Sequence, residues 1–222
     1  MGSARYDGIA DWYDTEFQPA PLESETWEVL VRLLGRPSGS LLDVGCGTGS
    51  YTAALAELGW HATGVDISED MLRRANARGV RTVQADATSL PFEDASFDAA
   101  TSVFTNTDVD DLATVVREIA RVLRPGAPLV YLAVHPCFVG PHSMYDPDGI
   151  PELHPGWYRR EGRYTEAPGV WRASGVRIRV GATHLPLGRF LQTFIDADLR
   201  LESVEESGDR EYPFGLALRW RR

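Results

Sequence analysis

The glycine-rich stretch at residues 41–52 constrains the fold more than any other part of the chain; it reads Leu-Leu-Asp-Val-Gly-Cys-Gly-Thr-Gly-Ser-Tyr-Thr. Its apolar start predicts a strand, and a helix is expected from Ser50 onward. Gly45, Gly47 and Gly49 permit a sharp turn and close approach of the backbone to a ligand, since glycine has no Cβ. The N–H groups that open the next helix point at whatever lies above the turn. The stretch therefore predicts a site for a nucleotide-type cofactor, although Gly49 comes one residue earlier than the dinucleotide fingerprint requires.

Three acidic residues accompany this turn. Asp43 lies two positions before the first glycine, where it is expected to hold the turn through backbone N–H groups or to bind a cationic group. Asp66 ends the next apolar segment, at a place where a carboxylate suits ribose hydroxyls. Asp86 ends a third such segment and is placed to accept a hydrogen bond from an adenine amine. The pattern favours an adenosine-containing cofactor.

Apolar and polar segments alternate along the chain in a way that predicts an α/β fold with a parallel sheet. Two N-terminal helices, expected at 4–16 and 23–35, precede this alternation. The predicted parallel strands lie at 40–45, 61–66, 80–85, 97–103 and 128–134, with helices at 49–58, 68–78 and 109–123. Residues 135–170, rich in proline and glycine, predict a long loop or lid. Beyond it we expect a strand within 170–184, because Val176, Ile178 and Val180 alternate with polar residues. A helix is expected at 186–197, and an antiparallel strand pair at 199–206 and 213–220.

Length and composition narrow the class of protein. A chain of 222 residues fits one α/β domain, and a formal net charge of −10 disfavours nucleic acid and anionic membranes as partners. No apolar run is long enough to span a bilayer, and the two cysteines are too few for a disulfide framework, so we expect a cytoplasmic protein. All 22 Lys and Arg residues are arginine, which is typical of a bacterial genome rich in G and C.

Together these motifs resemble those of the class I S-adenosylmethionine (SAM)-dependent methyltransferases, in particular the small-molecule branch similar to ubiquinone-biosynthesis enzymes. The matching segments, besides the glycine turn, Asp66 and Asp86, are Tyr6–Asp14, Leu90–Phe92, Ser96–Asp98 and Glu118–Gly126. The resemblance implies a Rossmann-like fold with a seven-stranded, mostly parallel sheet, an antiparallel edge pair, helices on both faces and an N-terminal helical lid. It divides a single domain into lid helices (1–37), cofactor-binding core (38–134), substrate-facing insert or lid (135–197) and edge strands (198–222).

The resemblance also implies how the site holds SAM and, after transfer, S-adenosylhomocysteine. The turn Gly45–Gly49 would face the amino-acid portion of the cofactor, and Asp66 would bind both ribose hydroxyls. The adenine contacts would be Ile67 and Met71 on the ring, with Asp86 and the Ala87 N–H at its edge. Asp66 has an alternative role as N-cap of the helix beginning near Ser68.

Residues on either side of the methyl group are expected from three further places. Tyr6 and Tyr13 belong to the N-terminal helix, where they would contact the cofactor carboxylate or the substrate, or simply pack as part of the lid. Phe104 would begin the floor between cofactor and substrate. The Asn/Asp-Pro-Pro-aromatic motif of enzymes that methylate adenine or glutamine is absent after the fourth strand, which argues against nucleic-acid and release-factor substrates.

A general base is needed when the acceptor is a hydroxyl or an ammonium group. His135 directly follows the fifth strand and is the first candidate; its alternative is a hydrogen-bonded turn residue before Pro136. His184 and Tyr13 are the next candidates. We expect no metal, because the acids at 108, 110 and 111 are better explained as the start of a helix.

Between residues 159 and 189 there are seven arginines and two glutamates. Arginine binds carboxylate and phosphate groups in a bidentate manner, so the stretch predicts either an acceptor with an anionic group or a solvated face. The predicted function is SAM-dependent methyl transfer to an O, N or C atom of a small molecule, in bacterial secondary metabolism. Two alternatives remain open: a related enzyme diverted to elimination or cyclisation, and a non-catalytic partner subunit.

Overall fold

Eleven strands and seven α-helices make up the described part of the chain, which in this computed structural model comprises residues 4–17, 24–145, 149–167, 175–208 and 211–222. The strands are β1 Ser40–Val44, β2 His61–Asp66, β3 Arg81–Gln84, β4 Ala99–Val103, β5 Pro128–Val134, β6 Ser143–Tyr145, β7 Pro151–Leu153, β8 Gly162–Tyr164, β9 Ala182–His184, β10 Arg200–Ser207 and β11 Gly215–Arg221. The α-helices are α1 Ala10–Trp12, α2 Glu25–Leu34, α3 Ser50–Glu57, α4 Glu69–Ala77, α5 Leu112–Val122, α6 Val176–Val180 and α7 Leu187–Ile195. A π-helical turn, Tyr13–Phe17, continues α1, and a 3₁₀ turn, Thr105–Thr107, follows β4.

Seven of the strands form one sheet in the order β10-β11-β5-β4-β1-β2-β3. Strands β1 to β5 run parallel, whereas β11 pairs antiparallel with both β5 and β10. The order reverses at β1, with β4 on one side and β2 on the other, and ligands bind at such a switch point in open α/β sheets. The predicted fold class is confirmed.

Alternation along the strands sends apolar side chains to both faces of the sheet. Leu41 and Val130 pack on one face with residues of α2 and α3, while Leu42 and Leu129 pack on the other with residues of α5 and α7. Both layers are buried, which explains why the central strands are almost continuously apolar.

Among the described residues of 170–184, the expected strand is present only as β9, Ala182–His184. Val176, Ile178 and Val180, whose alternation indicated the strand, lie in the helix α6, so that part of the prediction is wrong. Val176 and Val180 are buried while Ile178 is half exposed, so the apolar face follows the four-residue spacing of a helix. Gly181, at φ +69°, ends the helix and donates its N–H to the Arg177 carbonyl at 2.7 Å. A left-handed glycine is a common helix stop.

The stretch expected as a long loop, 135–170, contains short strands where it is described. Strands β6 and β7 form a hairpin, and β8 pairs antiparallel with β9, which ties the insert to the segment before α7. Residues 146–148 and 168–174 lie outside the described part of the chain. Among the described helices, none has the length and apolarity required to cross a membrane.

Candidate active site

A cavity of about 960 Å³ opens at the carboxyl ends of the parallel strands, and we call it the large cavity. Each neighbouring strand contributes the residue at or just beyond its end to the wall: Gly45 after β1, Asp66 on β2, Phe104 after β4 and Val134 on β5. The N-terminal segment and the insert supply further lining residues. The strand ends predicted from the sequence therefore meet at one site.

Two of the three glycines of the turn line the large cavity, and one of these two, Gly47, has open space around it. Gly45 and Gly47 line the large cavity and have φ values of +73° and +53°. A Cβ on Gly45 would lie 2.2 Å from a Thr105 methyl carbon, whereas one on Gly47 would meet nothing within 4 Å. Gly49 is not among the lining residues; a Cβ there would lie 2.7 Å from the Cβ of Ala75 on α4. Gly49 is therefore needed for helix packing.

Asp66 is held rigidly at the mouth of the turn. Its two carboxylate oxygens accept hydrogen bonds from the backbone N–H groups of Gly47 and Ser68, each at 2.9 Å. The N-cap role considered for Asp66 belongs to Ser68, whose hydroxyl accepts from the Met71 N–H. Burial raises the pKa of Asp66, and the backbone hydrogen bonds oppose that rise. Each oxygen still has a lone pair with which to accept from a ligand hydroxyl.

Asp43 lies beneath the turn and does not line the large cavity. Only 2% exposed, it accepts hydrogen bonds from the hydroxyls of Thr52 at 2.6 Å and Thr101 at 3.0 Å. Neither expectation for Asp43, backbone N–H groups or a cation, matches these partners. Burial raises its pKa to about 6. The carboxyl group instead joins β1 to α3 and β4.

The residues expected around an adenine lie together on one wall of the large cavity: Ile67, Met71, Asp86 and Ala87. One oxygen of Asp86 accepts from both the N–H and the hydroxyl of Thr88, at 3.0 and 2.8 Å. These bonds fix the Asp86 carboxylate in the loop after β3. The wall combines apolar side chains with one oriented acid, as adenine recognition requires.

A polar cluster that was not predicted lies elsewhere in the large cavity, centred on Asp108. Its carboxylate accepts from the Tyr6 hydroxyl at 3.0 Å and from the Arg177 guanidinium at 2.7 Å. Arg5 donates to the Asp108 carbonyl at 2.8 Å and forms an ion pair with Asp110. The sequence signal for this cluster was the arginine-rich stretch of an otherwise acidic chain, but nothing in it singled out Arg177.

The two tyrosines of the N-terminal segment both line the large cavity and pack edge to face, with ring centroids 5.4 Å apart. Burial raises the pKa of Tyr6 and that of Tyr13 well above the ordinary value, and the negative charge of Asp108 adds to the effect. Both phenols are therefore protonated near neutral pH. Tyr13 is suited to donate a hydrogen bond and unsuited to remove a proton.

Neither histidine proposed as a base is among the residues that line the large cavity. His135 lines a separate groove, where its Nε2 lies 3.0 Å from the Glu206 carboxylate and its Nδ1 accepts from the Cys137 N–H. Burial lowers its pKa, while Glu206 opposes the change. His184 places its Nε2 2.8 Å from the Tyr158 carbonyl, and burial lowers its pKa to about 4. The structure thus places neither candidate base in the wall of the large cavity.

Comparison with known proteins agrees with this geometry. Residues 42–131 match a family described as a methyltransferase domain. Over 131 residues the chain is 37% identical to a demethylmenaquinone methyltransferase of Mycolicibacterium gilvum, and over 141 residues it is 35% identical to the O-methyltransferase resE of Aspergillus sclerotiorum. These alignments cover 58% and 55% of this chain, and 58% and 53% of the relatives, so the chain spans little more than half their length.

Among solved structures, a SAM-dependent methyltransferase from Mesorhizobium loti superimposes with a TM-score of 0.75 at 27% identity, covering 90% of this chain and 99% of that one. The fold and the cavity at the strand ends are those of a Rossmann-like α/β protein. The family match, the relatives and this structural likeness support a class I SAM-dependent methyltransferase, with SAM as its cofactor.

Proposed function

We propose that this protein transfers the methyl group of SAM to a small molecule bound in the large cavity. The observation that carries the proposal is Asp66, whose two oxygens are oriented by backbone N–H groups at the end of β2, beside the open space over Gly47. When bound, SAM supplies an electrophilic methyl group on a sulfonium. The residues that would hold it are Tyr6, Gly45, Gly47, Asp66, Ile67, Met71, Asp86, Ala87 and Phe104, all of which line the large cavity.

The large cavity is a large site for a single ligand, and part of its wall lies beyond the residues proposed to hold the cofactor. Pockets for one drug-sized ligand occupy about 300–1,000 Å³, and this cavity, at about 960 Å³, lies near the upper end. Apart from the polar cluster around Asp108, the wall beyond the proposed cofactor residues includes the apolar side chains of Val134, Val139 and Phe214. We infer an acceptor that is small and mostly apolar, such as a phenol or quinol ring.

The anionic acceptor group expected from the arginine-rich stretch has little support in the large cavity. Arg5 and Arg177 are the described arginines that line it, and both are paired with aspartates. Other arginines of the stretch are engaged outside it: Arg160 stacks on Trp157, and Arg163 donates to the Val180 carbonyl. We therefore propose a neutral acceptor. The names of the two relatives, a demethylmenaquinone methyltransferase and an O-methyltransferase, suit a ring carbon or a ring oxygen.

The protonation states in the large cavity favour positioning over proton removal. Burial raises the pKa of Tyr164 to about 12, and with Tyr6 and Tyr13 it forms a set of phenols that remain protonated. Methyl transfer is an in-line displacement that depends mainly on alignment of the reactants. We propose that these hydroxyls orient the acceptor and that the segment 135–197, which contributes Val139, Tyr164 and Arg177, forms its side of the cavity.

The cofactor site is tested by calorimetry with S-adenosylhomocysteine (SAH). Wild type is expected to bind SAH at micromolar affinity, and Asp66→Ala to weaken binding at least tenfold because two oriented acceptors are lost. Asp94→Ala, at an acid whose side chain is 76% exposed, is the matched control and should leave affinity unchanged. Absence of SAH binding to the wild type would remove the basis of the proposal.

The reaction is tested with tritiated methyl-SAM and 1,4-naphthoquinol as acceptor. Transfer of the label to the organic phase, with equal release of SAH, is the expected result, and Asp66→Ala should abolish it at low SAM concentration. Binding of both ligands without SAH release would favour the non-methylating alternative, elimination or cyclisation. We also propose a cytoplasmic location and a role in bacterial secondary metabolism.

A further inference from the structure

The pair formed by Asp108 and Arg177 stands out because it is an ion pair in the wall of a ligand cavity. The two side chains come from distant parts of the chain, are 26% and 15% exposed, and meet at 2.7 Å. Burying charges costs free energy even when they are paired. A pair kept at a ligand-facing position is therefore a candidate for recognition.

The pair lies next to the glycine turn. The Asp108 N–H donates to the Thr105 carbonyl at 2.9 Å. The Thr105 methyl carbon is the atom that a Cβ on Gly45 would meet at 2.2 Å, so Thr105 packs directly against the turn. Asp66 and Asp108 both line the large cavity. In the proposed arrangement Asp66 binds the ribose and the glycine turn faces the amino-acid portion of the cofactor, so Asp108, next to that turn, lies on the side of the amino-acid portion.

The charges of the pair select among ligands. Asp108 and Arg177 together carry no net charge, and the neighbouring pair of Arg5 and Asp110 is also neutral. A simple anion would meet one cation and one repelling carboxylate, whereas a zwitterion would find an opposite charge for each of its ends. Arginine has five N–H donors, and the bond to Asp108 occupies the Nη1 end of the guanidinium.

We propose that Asp108 and Arg177 together form the receptor for the zwitterionic amino-acid tail of SAM. The guanidinium donates hydrogen bonds to the tail carboxylate, and the Asp108 carboxylate accepts from the tail ammonium. Tyr6, which donates to the same Asp108 oxygen, holds that carboxylate in place. The inference rests on the proposed cofactor site and adds to it the residues that distinguish SAM from other adenosine compounds.

The experiment compares two ligands by calorimetry: SAH and 5′-methylthioadenosine, which has the same adenosine and thioether but lacks the amino-acid tail. Wild type should bind SAH at least tenfold more tightly. Arg177→Gln and Asp108→Asn should each weaken SAH binding tenfold or more, because a charge-assisted hydrogen bond is lost, and change the affinity for 5′-methylthioadenosine less than threefold. Arg189→Gln, at an exposed arginine paired with Glu161 at 3.4 Å, is the matched control and should change neither affinity.

Each other outcome has a definite meaning. Equal weakening of both ligands would show that the pair only shapes the cavity, and unchanged SAH binding would show that it does not touch the tail; both overturn the inference. Absence of binding of either ligand to wild type would refute the cofactor site itself. If removal of one partner prevents folding, Arg177→Lys keeps the charge beside Asp108 and should weaken SAH selectively, since lysine lacks the planar fork. The inference would also be overturned if a folded Arg177→Lys bound both SAH and 5′-methylthioadenosine with the affinities of wild type.

Discussion

At the scale of single residues, Asp43 shows how the turn is supported from below. The carboxyl group is fully enclosed, and its partners are two threonine hydroxyls and no cation. An ionised carboxylate in such surroundings has lost its water and gained only neutral donors, which is why burial raises its pKa to about 6. The ionised form is therefore less favourable in the folded protein than in the unfolded chain.

Asp43→Asn should change how stability depends on pH. With a folded pKa of about 6 and an ordinary value of 3.8, the folded state binds more protons than the unfolded chain in this window. The contribution of Asp43 to stability therefore falls as pH rises from 4 to 6. The free energy of unfolding of Asp43→Asn minus that of wild type should therefore be higher at pH 7 than at pH 5, by ~1 kcal/mol, because only wild type loses stability in this window. Urea denaturation of both proteins at each pH measures it; a pH-independent difference would contradict it.

His135 was expected to face the large cavity, and its different position has a simple geometrical cause. Successive residues of a strand point to opposite sides, and Val134, at the end of β5, lines the large cavity. His135 therefore turns toward β10, where it meets Glu206. The sequence located the strand end correctly, but choosing between adjacent residues required knowing which of them faces the cavity. Asp43 lies within β1, whereas Gly45 follows the last residue of the strand, so Gly45 reaches the large cavity and Asp43 stays under the turn.

At the scale of elements, the N-terminal segment is fastened to α4 by a row of aspartates. Asp7 accepts from the Ser68 hydroxyl at 2.6 Å, Asp11 pairs with Arg74, and Asp14 accepts from Arg78 at 2.6 and 2.8 Å. Burial would raise the pKa of Asp14, but the hydrogen bonds from Arg78 bring it below its ordinary value. These bonds hold Tyr6 and Tyr13 over the large cavity.

Asp14→Asn should loosen this segment. The side chain of Asp14 is 8% exposed, so its charge-assisted bonds to Arg78 are worth more than those of a surface pair. Hydrogen exchange of the Tyr13 amide, which donates to the Ile9 carbonyl at 2.9 Å, should become about tenfold faster, as expected for a loss of about 1.4 kcal/mol. Asp196→Asn, at an acid bonded within its own helix end, is the control and should not alter that amide. Equal rates in both variants would show that Asp14 does not fasten the segment.

The elements that the sequence predicted well are those with strong local patterns. Strands β1 to β5 and helices α3 to α5 lie within a few residues of their expected ends, because apolar periodicity and turn residues fix them locally. The error at α6 arose because valine and isoleucine at alternate positions satisfy a strand pattern as well as a helical one. Only the contacts of Val176 and Val180 with the rest of the fold decide between the two.

At the scale of the whole molecule, the large cavity is closed by segments far apart in the chain. The sheet supplies the floor, the N-terminal segment contributes Tyr6 and Tyr13, and the insert contributes Tyr164 and Arg177. Contacts also join the two outer segments: Tyr6 and Arg177 share Asp108, and Arg179 stacks on Trp12 at 4.1 Å. The sequence predicted the floor from strand ends, but such contacts depend on tertiary placement and leave no local pattern.

This arrangement predicts that cofactor binding protects both outer segments together. At an SAH concentration one hundred times its dissociation constant, the free energy of unfolding should rise by about 2.7 kcal/mol. Hydrogen exchange should slow at 4–17 and at 175–184, as well as around the glycine turn, since a ligand on Asp108 and Arg177 bridges all three. Asp66→Ala at the same SAH concentration should lose the protection in both outer segments at once. Protection confined to residues 42–90 would contradict a shared closure, because the outer segments would then move independently of the ligand.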